Sequence, residues 1–279
     1  MLVGDLFLIV LASSAAVLNA ILIVCNHRRG DGRWASDGIL IAMGAAFDLQ
    51  LGVYVAVASL VRVVSGELVY DGSIWCKVNF IVERTLAVTC LNLVMLLALM
   101  RYLVIVRRYK SLPLLWFSIS SGTFLLIFLI TLLRSKSTKL YVYPSGLYCY
   151  PMTSKRVFIK DVFSNTFTLL CVPHLFIIPL CYLSIANHYK RLISNIYECG
   201  FATHVHRQIR GICILSAAYW VAFAPHIALV FLVRVFETLP SPGLDMLIYY
   251  LKTSSLIINA LFPLLFHEEI NGKLWELCT

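Results

Sequence analysis

Charge is scarce in this sequence. Asp, Glu, Lys and Arg make up 13% of the 279 residues against 60% hydrophobic ones, and the mean hydropathy is +0.86. That is too apolar for a soluble domain of this size. Enzyme signatures are missing as well: there is no G-x-S-x-G, no H-E-x-x-H and no pair of intramembrane aspartates. The chain is therefore read as no enzyme, with no cofactor, no resident metal and no nucleic-acid partner. No N-x-S/T acceptor occurs anywhere. Almost no length is left over for a separate soluble domain.

What the chain has is long apolar runs. Crossing about 30 Å of hydrocarbon as helix takes roughly 20 mostly apolar residues, and every backbone group must be satisfied within the segment. Runs of that kind lie near 2–26, 38–64, 74–106, 112–133, 163–189, 209–236 and 244–266. They predict an all-α membrane protein, a seven-transmembrane helix bundle forming one domain over 1–279, and no β-barrel. The first run is too long for a cleaved signal peptide and is expected to be retained. Arg28, Arg29 and Arg33 follow it, which puts the N-terminus outside and, with seven spans, the C-terminus inside. After the last run, Ile270, Leu274, Leu277 and Cys278 repeat on one side of a short amphipathic helix, 267–278, expected on the inner membrane surface.

A few polar residues interrupt the runs. Asn19 and Asp48 sit in the first two, and Glu83, Arg84 and Lys252 in the third and seventh. An ionisable residue at mid-bilayer costs at least ~2.5 kcal/mol on insertion scales, so each should face the bundle interior with a partner. Asp48 fits either a structural polar knot or an ion or proton site. Pro173, Pro179, Pro225 and Pro263 kink their helices. Of nine cysteines most are inside spans, but Cys76 and Cys149 would face the oxidising side, where a disulfide can form. The outer segment 135–162 carries Tyr141, Tyr143, Tyr148 and Tyr150 and is expected to pack as a lid or short hairpin. Its cations suit either a solvated loop or an approach surface for an anionic or peptide ligand.

One landmark per span resembles the rhodopsin-like (class A) G protein-coupled receptor family. These are Asn19, Asp48 in FDLQLG, Cys76 with MRY at 100–102, Trp116, Pro179 in FIIP, Pro225 in FAP and Pro263 in NALFPLLF. The resemblance covers essentially the whole chain, and Cys76 falls 25 residues before Arg101 as the family requires. It implies a multi-pass plasma-membrane receptor whose partners are the lipid bilayer, a heterotrimeric G protein and an unknown small-molecule, lipid or peptide ligand. It implies a ligand pocket in the outer half, built from Glu83, Arg84, Cys171, His174, Phe223, His226, Tyr249 and Lys252. It implies a G protein dock around Met100, Arg101, Tyr102, Asn187 and Phe266, and a Cys76–Cys149 bridge. Asp48 and Asn259 are its sodium-site candidates, but Cys90 and Phe262 are poor oxygen donors, so sodium regulation is expected to be weak or absent.

The departures are specific. Met100 stands where the family has an acid, the inner end of span six reads HVHRQIR, and Phe223 replaces a Trp. Phe262 and Phe266 replace the Asn and Tyr flanking the last proline, and Asn187 stands where a Tyr is usual. Without an acid beside Arg101, raised basal activity is expected. The glycosylated N-terminal tail of the family is expected to be missing or truncated. Glu83 and Lys252 are expected to pair across the empty cavity, as a ligand-sensitive switch or a purely structural pair. Two other functions stay open: a retinal-binding photoreceptor or pump, although Lys252 lies one turn outward of the opsin lysine place at Leu256, and a non-signalling partner or decoy.

Overall fold

The structure is a computed structural model of the chain. It describes residues 2–27, 36–65, 73–137, 139–151, 162–194, 210–211, 213–215, 217–229 and 240–266. The amphipathic helix expected over 267–278 lies outside these residues, as does the inner connection 195–209.

Helices dominate: α1 (Leu2–His27), α2 (Ser36–Ser65), α3 (Ile74–Ile105), α4 (Pro113–Ser137), α5 (Val162–Ser194), α6 (Cys213–Leu229, with position 216 not described) and α7 (Pro242–Phe266). Among the described residues five of them, α1 to α4 and α7, are long and apolar enough to cross a membrane. α1 to α4 and α7 follow the apolar runs to within a few residues, α5 continues to Ser194, past the expected 189, and the ends of the expected run 209–236 lie outside the described residues. Pro173 and Pro179 stay inside α5 and Pro263 inside α7, as tightly packed membrane helices allow.

The ends of the helices have local causes. Ser73 caps α3, its hydroxyl accepting from the Cys76 amide at 3.0 Å. At the other end Arg108 turns into the left-handed region, φ 54°, and breaks the helix. Pro113 then opens α4 at a position where its missing N–H costs nothing.

α3 is the centre of the bundle. It packs on α2, α4, α5 and both strands of a small hairpin, and 50% of its span is buried against 22% for α4. Its half nearer the hairpin joins α1, α2 and α7 in one apolar cluster, and its other half joins α5 and α6 in another. α1 and α2 approach closely at Gly52. A Cβ there would stand 3.0 Å from the Ala12 carbonyl oxygen and 3.3 Å from the Ala16 nitrogen, the small-residue contact typical of membrane helices.

The buried polar residues bridge helices. Asn19 donates to the carbonyls of Ala15 and, across to α7, Leu256. Asn26 donates to the Gly38 carbonyl of α2 at 2.8 Å. Tyr219 of α6 donates to Asn259 of α7 at 2.6 Å, and Asn259 donates to Asp48 of α2 at 2.8 Å. Asp48 thus acts as a polar knot of three helices, with the Cys90 thiol of α3 alongside. Leaving such groups unmade in hydrocarbon would cost several kcal/mol each, about the reason they converge.

The tyrosine-rich segment forms the expected hairpin. Strand β1 (Leu140–Val142) pairs antiparallel with β2 (Cys149–Pro151), Tyr141 opposite Tyr150. Its turn closes with the Gly146 amide donating to the Tyr143 carbonyl at 2.7 Å, and Gly146 takes φ 72°, a conformation that favours glycine.

Candidate functional site

The hairpin is fastened over one end of the bundle from three sides. Cys149 bonds Cys76 of α3, with the Cα atoms 5.5 Å apart. Asp245, fully buried in the first turn of α7, accepts from the Tyr148 hydroxyl at 2.5 Å and from the Ser145 amide at 3.2 Å. Arg62 of α2 donates to the Gly146 carbonyl at 2.8 Å and forms an ion pair with Asp5 of α1. Burial, then the Asp245 carboxylate, pushes the Tyr148 phenol well above its usual range. The phenol therefore stays protonated and donates.

Beneath the hairpin lies a buried ion pair. Lys252 of α7 donates to Glu83 of α3, and both side chains are at most one-tenth exposed. The ammonium sits 4.7 Å from the Tyr249 ring centroid and 5.8 Å from that of Tyr148, favourable cation–π placements. Tyr148 is sandwiched between Tyr143 at 4.7 Å and Tyr249 at 5.4 Å. Around the pair, Leu51, Val55, Ala87, Cys90, Phe223, Thr253 and Leu256 line a cavity of about 10 Å³ for the centre of a water molecule. That is room for at most one water. The site is closed.

Not every residue expected in the pocket faces it. Glu83, Phe223, Tyr249 and Lys252 line the cavity. Arg84 is buried with its guanidinium 5.6 Å from the Phe80 ring centroid, and His226 lies where the charges of Lys252 and Arg84 both act on it. His174 instead meets Asn92 of α3 at 3.3 Å. The Cys171 side chain lies outside the described residues. Arg62 is occupied by Asp5 and Gly146, whereas Lys136 and Lys139, among the cations of the segment 135–162, are exposed.

At the inner end of α3 the partners are aromatic. Met100 is buried in an apolar cluster with Leu40, Leu93, Leu96 and Trp116. The Arg101 guanidinium lies 6.0 Å from the Phe262 ring centroid, and its charge acts on the phenols of Tyr182 and Tyr189 of α5. Tyr102 accepts from the Arg107 guanidinium at 3.2 Å. Asn187 is exposed; the α5 residues on which the Arg101 charge acts are Tyr182, five residues before Asn187, and Tyr189, two residues after it. The Phe266 side chain is outside the described residues.

The chain matches no protein-family model and no curated protein. Its site therefore rests on geometry alone. The sequence reading missed Asp245, which looked like an ordinary acid at a helix start. It also missed the Arg62–Asp5 pair, and the role of Tyr182 and Tyr189, which carry no signal apart from their place on α5. The clue to Tyr148 was present in the tyrosine-rich hairpin.

Proposed function

We propose that this chain is a seven-helix receptor of the rhodopsin-like kind, set in the plasma membrane with its N-terminus outside, passing a ligand signal to a heterotrimeric G protein. α5 and α6 supply the spans beyond the five long apolar helices. The observation that carries the reading is the Glu83–Lys252 pair near a disulfide-tethered hairpin, with Glu83 on the same helix that carries Arg101 four residues before its end. Two charges at that depth each cost several kcal/mol if left alone, so an outer ligand bearing a cation, an anion or both gains by taking one of them. Separating α3 from α7 at Lys252 then shifts the population between two helix packings. The inner face around Arg101 is the surface that such a shift presents to the G protein.

The test is G protein recruitment in cells at matched surface expression. Glu83→Gln and Lys252→Met, singly, are expected to change recruitment at least several-fold, and Arg101→Ala to abolish it. Absence of recruitment by the wild type and by both pair-breaking variants would overturn the receptor reading in favour of a non-signalling partner.

A further inference from the structure

The hairpin also reaches into the bundle. Tyr148 sends its phenol inward and is 5% exposed. Its face stacks on Tyr249 with the planes 13° apart, and the other face meets Tyr143. Its hydroxyl donates to the buried Asp245 carboxylate at 2.5 Å. The Lys252 ammonium lies 5.8 Å from the ring centroid. A stacking face, a buried acceptor and a nearby cation are what a protein offers a small bound phenol. Here the phenol arrives on a tether. The Cys76–Cys149 bridge begins at the next residue, and the Tyr143–Gly146 turn fixes the approach.

We propose that the space above the Glu83–Lys252 pair is a phenol-binding site whose resident occupant is Tyr148, so that the chain carries its own tethered ligand. The proposal rests on reading the outer cavity as a ligand pocket and names what that pocket recognises. A diffusible ligand of this pocket must displace Tyr148 and present an aromatic ring with a hydroxyl or similar donor to Asp245. Lys252 would report the exchange, since it touches both the occupant and Glu83.

Chemical complementation tests this on the purified full chain in nanodiscs. Tyr148→Ala deletes the occupant and is expected to lower the melting midpoint by roughly 5–10 °C, as for other buried aromatic truncations. Millimolar p-cresol, the free equivalent of the lost side chain, is expected to recover several degrees in Tyr148→Ala and to leave the wild type unmoved. Toluene, without the hydroxyl, recovers less. Equal p-cresol shifts in both proteins, or none in either, would overturn the proposal. If Tyr148→Ala does not fold, Tyr148→Phe and Asp245→Asn serve: their losses are expected to be non-additive, because they remove the same contact, and additive losses would overturn it. Melting requires no G protein. A failed complementation therefore sinks the phenol site while leaving the recruitment result intact, and recovery by p-cresol without recruitment sinks only the receptor reading.

Discussion

Around Glu83, α3 is tied to its neighbours by an ion pair, a disulfide and hydrogen bonds, whereas around Met100 and Arg101, about 27 Å along the same helix, it is tied by apolar and aromatic packing. The two ends respond to different perturbations. The end under the hairpin is a matter of partners: Glu83 meets Lys252, Asp245 meets Tyr148 and Ser145, and Arg62 meets Asp5 and Gly146, so exchanging a partner re-sorts the contacts. The inner end is a matter of volume: Met100 fits a closed apolar cluster that has no use for charge.

The largest effect should come from splitting the outer pair. Lys252→Met leaves Glu83 buried and alone and is expected to cost about 3–5 kcal/mol, while the double variant with Glu83→Gln regains most of it. Thermal melting of the three proteins decides this, and equal losses in single and double variants would dissolve the contrast. Next is Met100→Asp. The family resemblance gives an acid before Arg101 a restraining role, but the side chain at position 100 packs among Leu40, Leu93, Leu96 and Trp116. The substitution is expected to lose about 3 kcal/mol of packing before any charge is counted, whereas Met100→Leu loses less than about 1.5 kcal/mol. A stable Met100→Asp protein with lowered basal G protein output would make the inner end electrostatic after all.

Smaller still, Gly52→Val drives a side chain against the Ala12 carbonyl and is expected to cost about 1–3 kcal/mol by parting α1 from α2. A variant that melts like the wild type would mean the two helices can part at no cost. The smallest effect belongs to Phe262→Leu, which removes the ring beside Arg101 while keeping most of the apolar volume. About 0.5–1 kcal/mol of cation–π attraction is lost, and basal recruitment is expected to rise two- to five-fold. Unchanged basal output would leave Tyr182 and Tyr189 as the restraint.

Much of the outer site was legible in the sequence because its residues are anomalies. Glu83 and Lys252 are charges inside apolar runs, which must find partners, and Cys76 and Cys149 are two thiols on one side of the bundle. The inner site was less legible. An aromatic residue in a membrane helix is unremarkable by itself, so nothing marked Tyr182, Tyr189 or Phe262 as neighbours of Arg101. For His174, polarity suggested the cavity, and its place on α5 turns it toward Asn92.

The sequence alone was enough to set a helical membrane bundle, its helix limits and the residues that had to lie inside, because hydrocarbon demands long apolar segments with every backbone group bonded internally. Which inside residues meet was decided by the tertiary structure. Tyr148 and Asp245 are 97 residues apart, and Arg62 and Asp5 are 57. Such contacts depend on how each helix is rotated and where the hairpin descends. Those are properties of side-chain packing between elements, and no local pattern of residues encodes them.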